Sequence, residues 1–304
     1  MSRIHEALKR AAQEHSKRSS GNNAQELIDA LDEKHPETTP LVAQVSDKKG
    51  SVNEPGRVPR NDFDRLVSQC RQVQWDVESR FSVFTNEAHN RVGAEKFRTL
   101  RSRLYQIAAA QPLRRILVTS SVPEEGKTFV AANLAQSIIR QTDRRVLLID
   151  ADLRISRLHI ALGAANEPGL TEYLRGELEE TAVIQVGKER NLCFIPGGGQ
   201  VSNPSELLHS DRMNTLLHKF SPMFDWIILD SPPAIAVHDA SMLADICDGV
   251  LFVVRAGTTD FELAQKAAAE FQEKNLLGVV LNRVEKSDTY GDYYYGYGKD
   301  SPED

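Results

Sequence analysis

A Gly-Lys-Thr triplet at residues 126–128 is the part of the sequence best suited to hold phosphate. It follows an apolar run and a loop, and it precedes a segment whose apolar residues recur at helical spacing. This order is the context of a P-loop, in which backbone N–H groups and a helix N-terminus face phosphate oxygens. Lys127 would reach the terminal phosphates and the Thr128 hydroxyl would hold Mg²⁺. The usual pattern begins with glycine, whereas that position here is Ser121. The expected nucleotide-binding residues of this segment are Pro123, Glu124, Glu125, Gly126, Lys127, Thr128 and Phe129.

Two further apolar runs end in aspartates that could act on the same phosphate. Asp150 and Asp152 follow the run at 146–149, and Asp230 follows the run at 226–229. Ligands of open parallel sheets bind at the carboxyl ends of the strands, so we expect these carboxylates beside the P-loop. There they could bind Mg²⁺ directly or through water, and one could accept a proton from an attacking hydroxyl. For any single aspartate, a helix cap or a turn is the alternative explanation.

The elements that must position these residues alternate along the chain from residue 115 onward. Apolar strands separated by helices predict a buried parallel sheet, and hence an α/β P-loop NTPase domain flanked by helices over residues 85–286. The predicted strands are 116–119, 146–149, 192–195, 226–229, 250–254 and 278–281. The predicted helices are 127–140, 170–175, 204–220, 240–246 and 261–274, with another at 87–109 ahead of the first strand.

The two ends of the chain differ in composition from this domain. Residues 1–16 have the spacing of an amphipathic helix, which could dock on a partner or a membrane surface, or pack on its own domain. Residues 17–84 contain polar stretches rich in Gly, Pro and Ser and predict a disordered linker. Residues 287–304 predict a flexible tail, whose tyrosines are either phosphoacceptors or an aromatic surface for sugar or another chain. These tyrosines are Tyr290, Tyr293, Tyr294, Tyr295 and Tyr297.

Composition argues against several classes of function. The net charge of -6 shows no basic excess, so we expect no nucleic-acid partner. The three cysteines lie far apart and indicate neither a metal-ligand pair nor disulfides, which fits a reducing cytoplasm. No apolar stretch approaches the ~20 residues that span a bilayer. We therefore expect no transmembrane segment in this chain, and any link to a membrane through a partner.

A charged stripe runs along the helix predicted at 87–109. Glu95, Arg98 and Arg101 are spaced at i, i+3 and i+6, so they share one face. Such a stripe is either a solvated, salt-bridged surface or an interface with a second copy of the chain. Spacing alone favours the solvated surface.

Together these motifs resemble those of the bacterial P-loop tyrosine kinases, the autokinases of capsule and exopolysaccharide export, over roughly residues 85–298. The matching residues are Lys127 and Thr128 in the P-loop, Asp150, Asp152 and Arg154 in an Asp-x-Asp-x-Arg motif, and Asp230 before Ser-Pro-Pro. The segment at 203–208 is also similar. The family's self-association helix, Glu-x-x-Arg-x-x-Arg, matches the stripe at 95–101, and the resemblance therefore favours the interface.

The resemblance implies a protein-tyrosine kinase that uses ATP and Mg²⁺. Lys127 would offset charge on the β- and γ-phosphates, and Asn282 would contact the base. Either Asp150 or Asp152 would accept the tyrosine proton, and both belong to the catalytic set with Lys127 and Asp230. The metal would be held by Thr128, Asp152 and Asp230.

The resemblance also implies partners and a place in the cell. The phosphorylated tyrosines would be those of a neighbouring subunit's tail within a ring-like homo-oligomer. A membrane-embedded polysaccharide co-polymerase would activate the kinase, so a cytoplasmic chain would be recruited to the inner face of the membrane. Its phosphorylation would then regulate capsule or exopolysaccharide synthesis and export.

The sequence departs from the family pattern at two places. Glu124 stands where the family often has glycine, and Glu125 follows it, so two acids adjoin the expected triphosphate. The pair at 155–156 is Ile-Ser instead of the usual Arg-Pro. A non-catalytic, nucleotide-binding regulator is therefore one alternative. A partition or division-site ATPase is another, but those proteins carry a second lysine five residues before the P-loop lysine, where this chain has Val122.

Overall fold

The computed structural model describes residues 59–284, which form one eight-stranded sheet between two sets of helices. The strands are β1 Arg71–Gln72, β2 Arg115–Ser120, β3 Val146–Asp150, β4 Gln185–Val186, β5 Leu192–Ile195, β6 Trp226–Asp230, β7 Gly249–Arg255 and β8 Leu276–Asn282. The helices are α1 Arg60–Gln69, α2 Arg91–Ala108, α3 Lys127–Ile139, α4 Leu158–Leu162, α5 Leu170–Leu174, α6 Glu180–Val183, α7 Pro204–Leu208, α8 Asp211–Phe220, α9 Asp239–Asp245 and α10 Phe261–Ala269. A 3₁₀ turn at Gln272–Lys274 precedes β8. The predicted α/β class is confirmed.

The sheet has the strand order β1-β4-β5-β3-β6-β2-β7-β8. All neighbouring pairs are parallel except β4 and β5, which are antiparallel. The antiparallel pair departs from the wholly parallel sheet predicted, and it involves the two-residue strand β4, which was not predicted. Because β2 lies between β6 and β7, the loop that follows β2 opens beside the carboxyl ends of both neighbours.

Alternate residues of the central strands enter two separate cores. In β2, Leu117 packs in one core, whereas Ile116 and Val118 pack in the other. The first core receives residues of α1, α5, α8, α9 and α10, and the second receives residues of α2, α3 and α4. Since successive side chains of a strand point to opposite faces, the sheet is covered on both sides, as its nearly continuous apolar strands predict.

The linker predicted over residues 17–84 is wrong for the part from residue 59 onward. The helix α1 buries Phe63, Leu66 and Val67 in the core, and β1 pairs with β4. Further along, Asn133 of α3 accepts a hydrogen bond from the Val83 N–H at 2.9 Å. Although α1 has only these three apolar residues at helical spacing, it is held in place because they pack in a core formed by distant parts of the chain. The domain therefore begins well before residue 85.

Two predicted helices are shorter or broken. The helix predicted at 204–220 is interrupted by the extended backbone of Ser210, which caps α8 and donates its hydroxyl proton to the Leu207 carbonyl. The helix predicted at 261–274 ends at Ala269 and continues only as the 3₁₀ turn.

The amphipathic helix at 1–16, the linker before residue 59 and the tyrosine tail at 287–304 lie outside the described residues. Within 59–284, no helix is both long and apolar enough to cross a membrane.

Replacement of Phe63 by Ala tests whether α1 belongs to the domain. The Phe63 ring lies 5.4 Å from the Phe224 ring and 4.4 Å from the Arg145 guanidinium. We expect Phe63→Ala to lower the free energy of unfolding by about 3–4 kcal/mol, measured by urea denaturation. Val92→Ala, at a half-exposed position of α2, is the control and should cost less than about 0.5 kcal/mol. Equal stabilities of Phe63→Ala and wild type would place α1 outside the folded unit.

Candidate active site

The P-loop of this chain joins the end of β2 to the start of α3 through residues 121–126. Gly126 caps α3 with φ of 97°, a left-handed conformation that favours glycine. A Cβ at Gly126 would lie 2.0 Å from Asn282 Nδ2, so the position also lacks room for a side chain. Helix α3 is 13 residues long, and its first N–H groups face the space above the loop. The predicted strand, loop and helix therefore have the geometry of a phosphate cradle.

Lys127 lies among the predicted carboxylates. Its Nζ is 2.9 Å from Asp152 Oδ2, 4.0 Å from Asp230 Oδ1 and 3.5 Å from Thr128 Oγ1. Burial works against the charge of Lys127, but attraction by Asp230 and Asp152 outweighs it and raises the pKa of the amine. The structure thus brings together four residues that the sequence placed in one site, and it keeps the lysine charged.

Asp150 lies at the base of this cluster. The register of the parallel sheet pairs it with Asp230, and its own carboxylate is fully buried. Its Oδ2 accepts hydrogen bonds from the Ser156 hydroxyl at 2.7 Å and the Leu158 N–H at 3.0 Å, and its Oδ1 accepts one from the Asp152 N–H at 3.2 Å. Burial and repulsion by Asp230 raise the pKa of Asp150 to about 7.

Asp230 differs because neither of its carboxylate oxygens has a partner with good hydrogen-bond geometry among the described residues, although the Thr128 hydroxyl and Lys127 both lie near it. Burial raises the pKa of Asp230 to about 6, although the charge of Lys127 opposes the shift. A buried carboxylate without donors is costly, and a bound cation would remove that cost. Residues 59–284 contain no group of three or more His, Cys, Asp or Glu side chains set to hold a metal. Mg²⁺ usually takes only one or two carboxylates and completes its shell with phosphates and water, so Asp230, Thr128 and Asp152 fit it.

The two acids of the P-loop have different environments. The Glu125 carboxylate is buried, and it accepts hydrogen bonds from the Ser121 hydroxyl, the Val122 N–H at 2.7 Å and the Thr259 hydroxyl at 2.6 Å. Its charge is therefore already matched by donors of the protein, so only its backbone remains to face a phosphate. Glu124 is exposed and has φ of 66°, a conformation that glycine adopts more easily.

The remaining residues predicted to bind the nucleotide lie around the loop. Pro123 is exposed at its tip. The Phe129 ring packs against Phe97 of α2 with ring centroids 5.9 Å apart, so its side chain belongs to the helix interface. Asn282, at the end of β8, donates its Nδ2 hydrogen to the Glu125 carbonyl at 2.8 Å. The side chain predicted to contact the base is thus bonded to the P-loop in this structure.

A polar contact beside the site was not predicted from the sequence. Arg154 donates to the buried carboxylate of Asp239 at 2.8 Å, and Ser205 donates to the same carboxylate at 2.6 Å. These bonds tie the loop after β3 to α7 and α9. The Asn-Pro-Ser-Glu segment at 203–206 was the available sequence signal for Ser205, whereas nothing local marks Asp239.

The charged stripe of α2 divides into two parts. Arg98 forms ion pairs with Glu95 and with Glu87 at a partly exposed position. Arg101 instead donates to the Ser137 carbonyl of α3 at 2.6 Å. The stripe is thus bonded within the subunit, and an interface through it would reuse the exposed Glu95 and Arg98.

Comparison with known proteins places this site among nucleotide-binding proteins. The family model of the CobQ/CobB/MinD/ParA nucleotide binding domain matches residues 116–298. The tyrosine-protein kinase YwqD of Bacillus subtilis is 35% identical over 209 residues, which are 67% of this chain and 87% of YwqD. The tyrosine-protein kinase wzc of Salmonella typhimurium is 36% identical over 68% of this chain, but the match spans only 30% of wzc.

A solved structure gives the same result for the fold. The kinase domain of the Escherichia coli tyrosine kinase ETK superposes with a TM-score of 0.60 at 36% identity. The match covers 64% of this chain and 77% of that domain. The fold is therefore that of a P-loop NTPase, as predicted.

Replacement of Asp230 by Asn tests the charge imbalance of the site. Because the folded-state pKa of Asp230 is above the ordinary value near 4, the native protein binds more protons than the unfolded chain between about pH 4 and 6. The stability contributed by Asp230 therefore falls as pH rises through that window. Without nucleotide, we expect Asp230→Asn to raise the free energy of unfolding at pH 7.5 by on the order of 2 kcal/mol, measured by urea denaturation. Most of this gain should be lost at pH 4.5. The control is Asp64→Asn at an exposed position, which should change the free energy of unfolding little. A gain in stability of Asp230→Asn that is the same at both pH values would contradict a raised pKa of Asp230.

Proposed function

The chain belongs to the CobQ/CobB/MinD/ParA nucleotide-binding family and, within it, to the bacterial tyrosine-protein kinases; from this premise we propose that it phosphorylates the tyrosines of its own carboxyl-terminal tail. The observation that carries the proposal is the cluster at the P-loop, where Lys127 Nζ lies 2.9 Å from Asp152 and 4.0 Å from Asp230. The second support is compositional, since five of the seven tyrosines of the chain lie within residues 290–297.

Phosphoryl transfer needs chiefly positioning and charge neutralisation, and the residues of the cluster divide these tasks. Lys127 and the first N–H groups of α3 would bind the terminal phosphates of ATP. Thr128, Asp152 and Asp230 would hold Mg²⁺, which supplies positive charge to the β- and γ-phosphates when it is bound with the nucleotide. Asp230 is the strongest candidate ligand because its buried oxygens have no donors in the described part of the protein.

The tyrosine proton requires an acceptor near the transferred phosphate. We assign it to Asp152, whose carboxylate contacts Lys127 and would therefore lie near the transferred phosphate, with Mg²⁺ held by Asp152 through water and not directly. The Asp152 Oδ1 accepts the Ile155 N–H at 3.0 Å, which fixes the orientation of the carboxylate. Asp150 lies deeper and supports Asp152 through the hydrogen bond to its backbone N–H.

The cellular setting is also part of the proposal. The tail of one subunit would enter the site of its neighbour in a ring, and the stripe of Glu95, Arg98 and Arg101 would join the subunits. A polysaccharide co-polymerase in the membrane would recruit and activate the kinase at the inner face, and the phosphorylation state would regulate capsule or exopolysaccharide export. Most of the curated relatives span far more sequence than the match, so the activities of whole relatives do not transfer directly.

Two complementary variants test transfer between subunits. Lys127→Met should lose self-labelling because it removes a charge worth about 4 kcal/mol against a phosphate at 4 Å and an effective dielectric of 20. A chain with all five tail tyrosines changed to Phe should keep ATP binding but lack acceptors. When the two are mixed with ATP and Mg²⁺, we expect phosphotyrosine on the tail of the Lys127→Met chain, identified by mass spectrometry.

The controls separate the parts of this proposal. Lys266→Met, at an exposed lysine of α10, should label itself like wild type. If Lys127→Met labels itself when it is incubated without the other variant, the P-loop assignment is wrong. A mixture without label, beside an active wild type, would mean transfer within one subunit. Phosphate on Tyr105 or Tyr173 and none in the tail would overturn the tail as substrate.

A triple replacement tests the stripe of α2 as an interface. Changing Glu95, Arg98 and Arg101 to Ala removes the charge-assisted bonds that would join two copies. We expect a lower sedimentation coefficient and weaker self-labelling at equal protein concentration. Because Arg101 also bonds to Ser137 in its own subunit, Arg101→Ala alone measures the share due to stability. The control is Lys96→Ala, and a wild type that is monomeric at every concentration would leave the stripe as a solvated face.

A further inference from the structure

The Glu125 side chain is a buried carboxylate at the centre of the P-loop, and the reaction as proposed gives it no task. It is 1% exposed. It accepts the Ser121 hydroxyl at 2.8 Å, the Val122 N–H at 2.7 Å and the Thr259 hydroxyl at 2.6 Å, and the Arg255 N–H lies 3.4 Å away. Four donors around one carboxylate hold it in a single orientation.

Two of these donors belong to the P-loop itself. Ser121 occupies the position at which the usual P-loop pattern has its first glycine, and its hydroxyl donates to both oxygens of Glu125, at 2.9 and 2.8 Å. Serine at this position therefore supplies a donor that glycine would lack. The Val122 N–H donates a second hydrogen bond from within the loop to the same carboxylate. Glu125 thus closes the P-loop on itself through side-chain bonds.

The other two donors are the N–H of Arg255, the last residue of β7, and the hydroxyl of Thr259, in the segment between β7 and α10. Thr259 is buried, and it lies 134 positions from Glu125 in the sequence. A second tether runs in parallel, because Asn282 at the end of β8 bonds to the Glu125 carbonyl. The loop is therefore fixed to the ends of both strands that follow β2 in the sheet, on the side away from Asp152.

We propose that Glu125 is a positioning residue for nucleotide binding: its carboxylate locks the P-loop through Ser121 and Thr259, so that Lys127 and the loop N–H groups are preset for phosphate. A loop set before binding loses less entropy when the nucleotide arrives. The inference rests on nucleotide binding at the P-loop, which is the first step of the proposed function. It assigns no contact between Glu125 and the nucleotide.

Thr259 is the residue through which this inference is best tested, because it lies outside the P-loop. Thr259→Val keeps the shape of the side chain and removes the hydroxyl donor, whereas Thr259→Ser keeps the donor. Thr215→Val is the matched control, since the Thr215 hydroxyl bonds only to the Asp211 carbonyl on the exposed side of α8. Glu125→Gln is a second variant, because its NH₂ group replaces one carboxylate oxygen and would face either the Val122 N–H on one side or the Arg255 and Thr259 donors on the other.

The measurement is the dissociation constant of ATP, ADP and adenosine for each full-length variant, by calorimetry for the nucleotides and ligand-detected NMR for adenosine. For Thr259→Val we expect ATP and ADP to bind roughly five- to tenfold more weakly. The P-loop loses one hydrogen bond to the charged Glu125, so it is held less firmly before the nucleotide binds. Adenosine, which has no phosphate, should bind as to wild type. Thr259→Ser and Thr215→Val should retain the wild-type affinities.

The pattern across ligands separates positioning from general damage. Equal losses for ATP and adenosine would overturn the inference, because a disturbed fold would affect both. Unchanged ATP affinity in both Thr259→Val and Glu125→Gln would also overturn it. These binding results do not depend on tyrosine labelling. A wild type that binds ATP but labels no tyrosine would refute the proposed kinase substrate and leave the role of Glu125 to be decided by the same titrations.

Discussion

Lys127 places one positive charge among three buried carboxylates, and the rest of the site depends on how that imbalance is resolved. With every group ionised, the cluster carries an excess of two negative charges in a place largely sealed from water. The free protein relieves this in part by holding protons, since the pKa of Asp150 is raised to about 7 and that of Asp230 to about 6. A divalent cation held by Asp230 and Asp152 would offset this excess and would make those protons unnecessary. This is the physical basis for proposing that Mg²⁺ arrives with the nucleotide.

The sheet gives this cluster its geometry, and that part of the structure could be predicted from the sequence. A run such as 146–149 is apolar throughout, so it must be buried on both faces, and the aspartate that ends it must lie at the edge of the sheet. The parallel register then sets Asp150 beside Asp230, and the adjacent β2 delivers Lys127 to the same edge. These features were predictable because each depends on a few consecutive residues.

Contacts between distant parts of the chain could not be predicted in this way. Glu124 and Glu125 are neighbours of the same type, yet Glu124 is exposed and Glu125 is buried. The Glu125 carboxylate accepts a hydrogen bond from the hydroxyl of Thr259, 134 positions away. Phe63 lies between charged residues in the sequence, and its contacts with distant residues such as Phe224 make it part of a core. From the sequence, both acids were expected beside the triphosphate with no difference between them, and a linker was predicted where α1 packs. Because the Glu125 charge is matched by donors of the protein, Glu125 itself gives no reason to expect weaker binding of a triphosphate.

The same charge imbalance bears on the substrate of the proposed reaction. A tyrosine side chain is neutral at pH 7, whereas its phosphate ester carries about -1.5 to -2 charges. The five tail tyrosines begin eight positions after Asn282, at the end of β8. The unmodified tail at 287–304 already carries five acidic residues and one lysine, and several phosphates would add to that negative charge and so strengthen its repulsion from Asp150, Asp152 and Asp230. In the proposed reaction, the excess negative charge that would favour a cation in the free site would also favour unmodified tyrosine over phosphotyrosine, and would so promote release of the product.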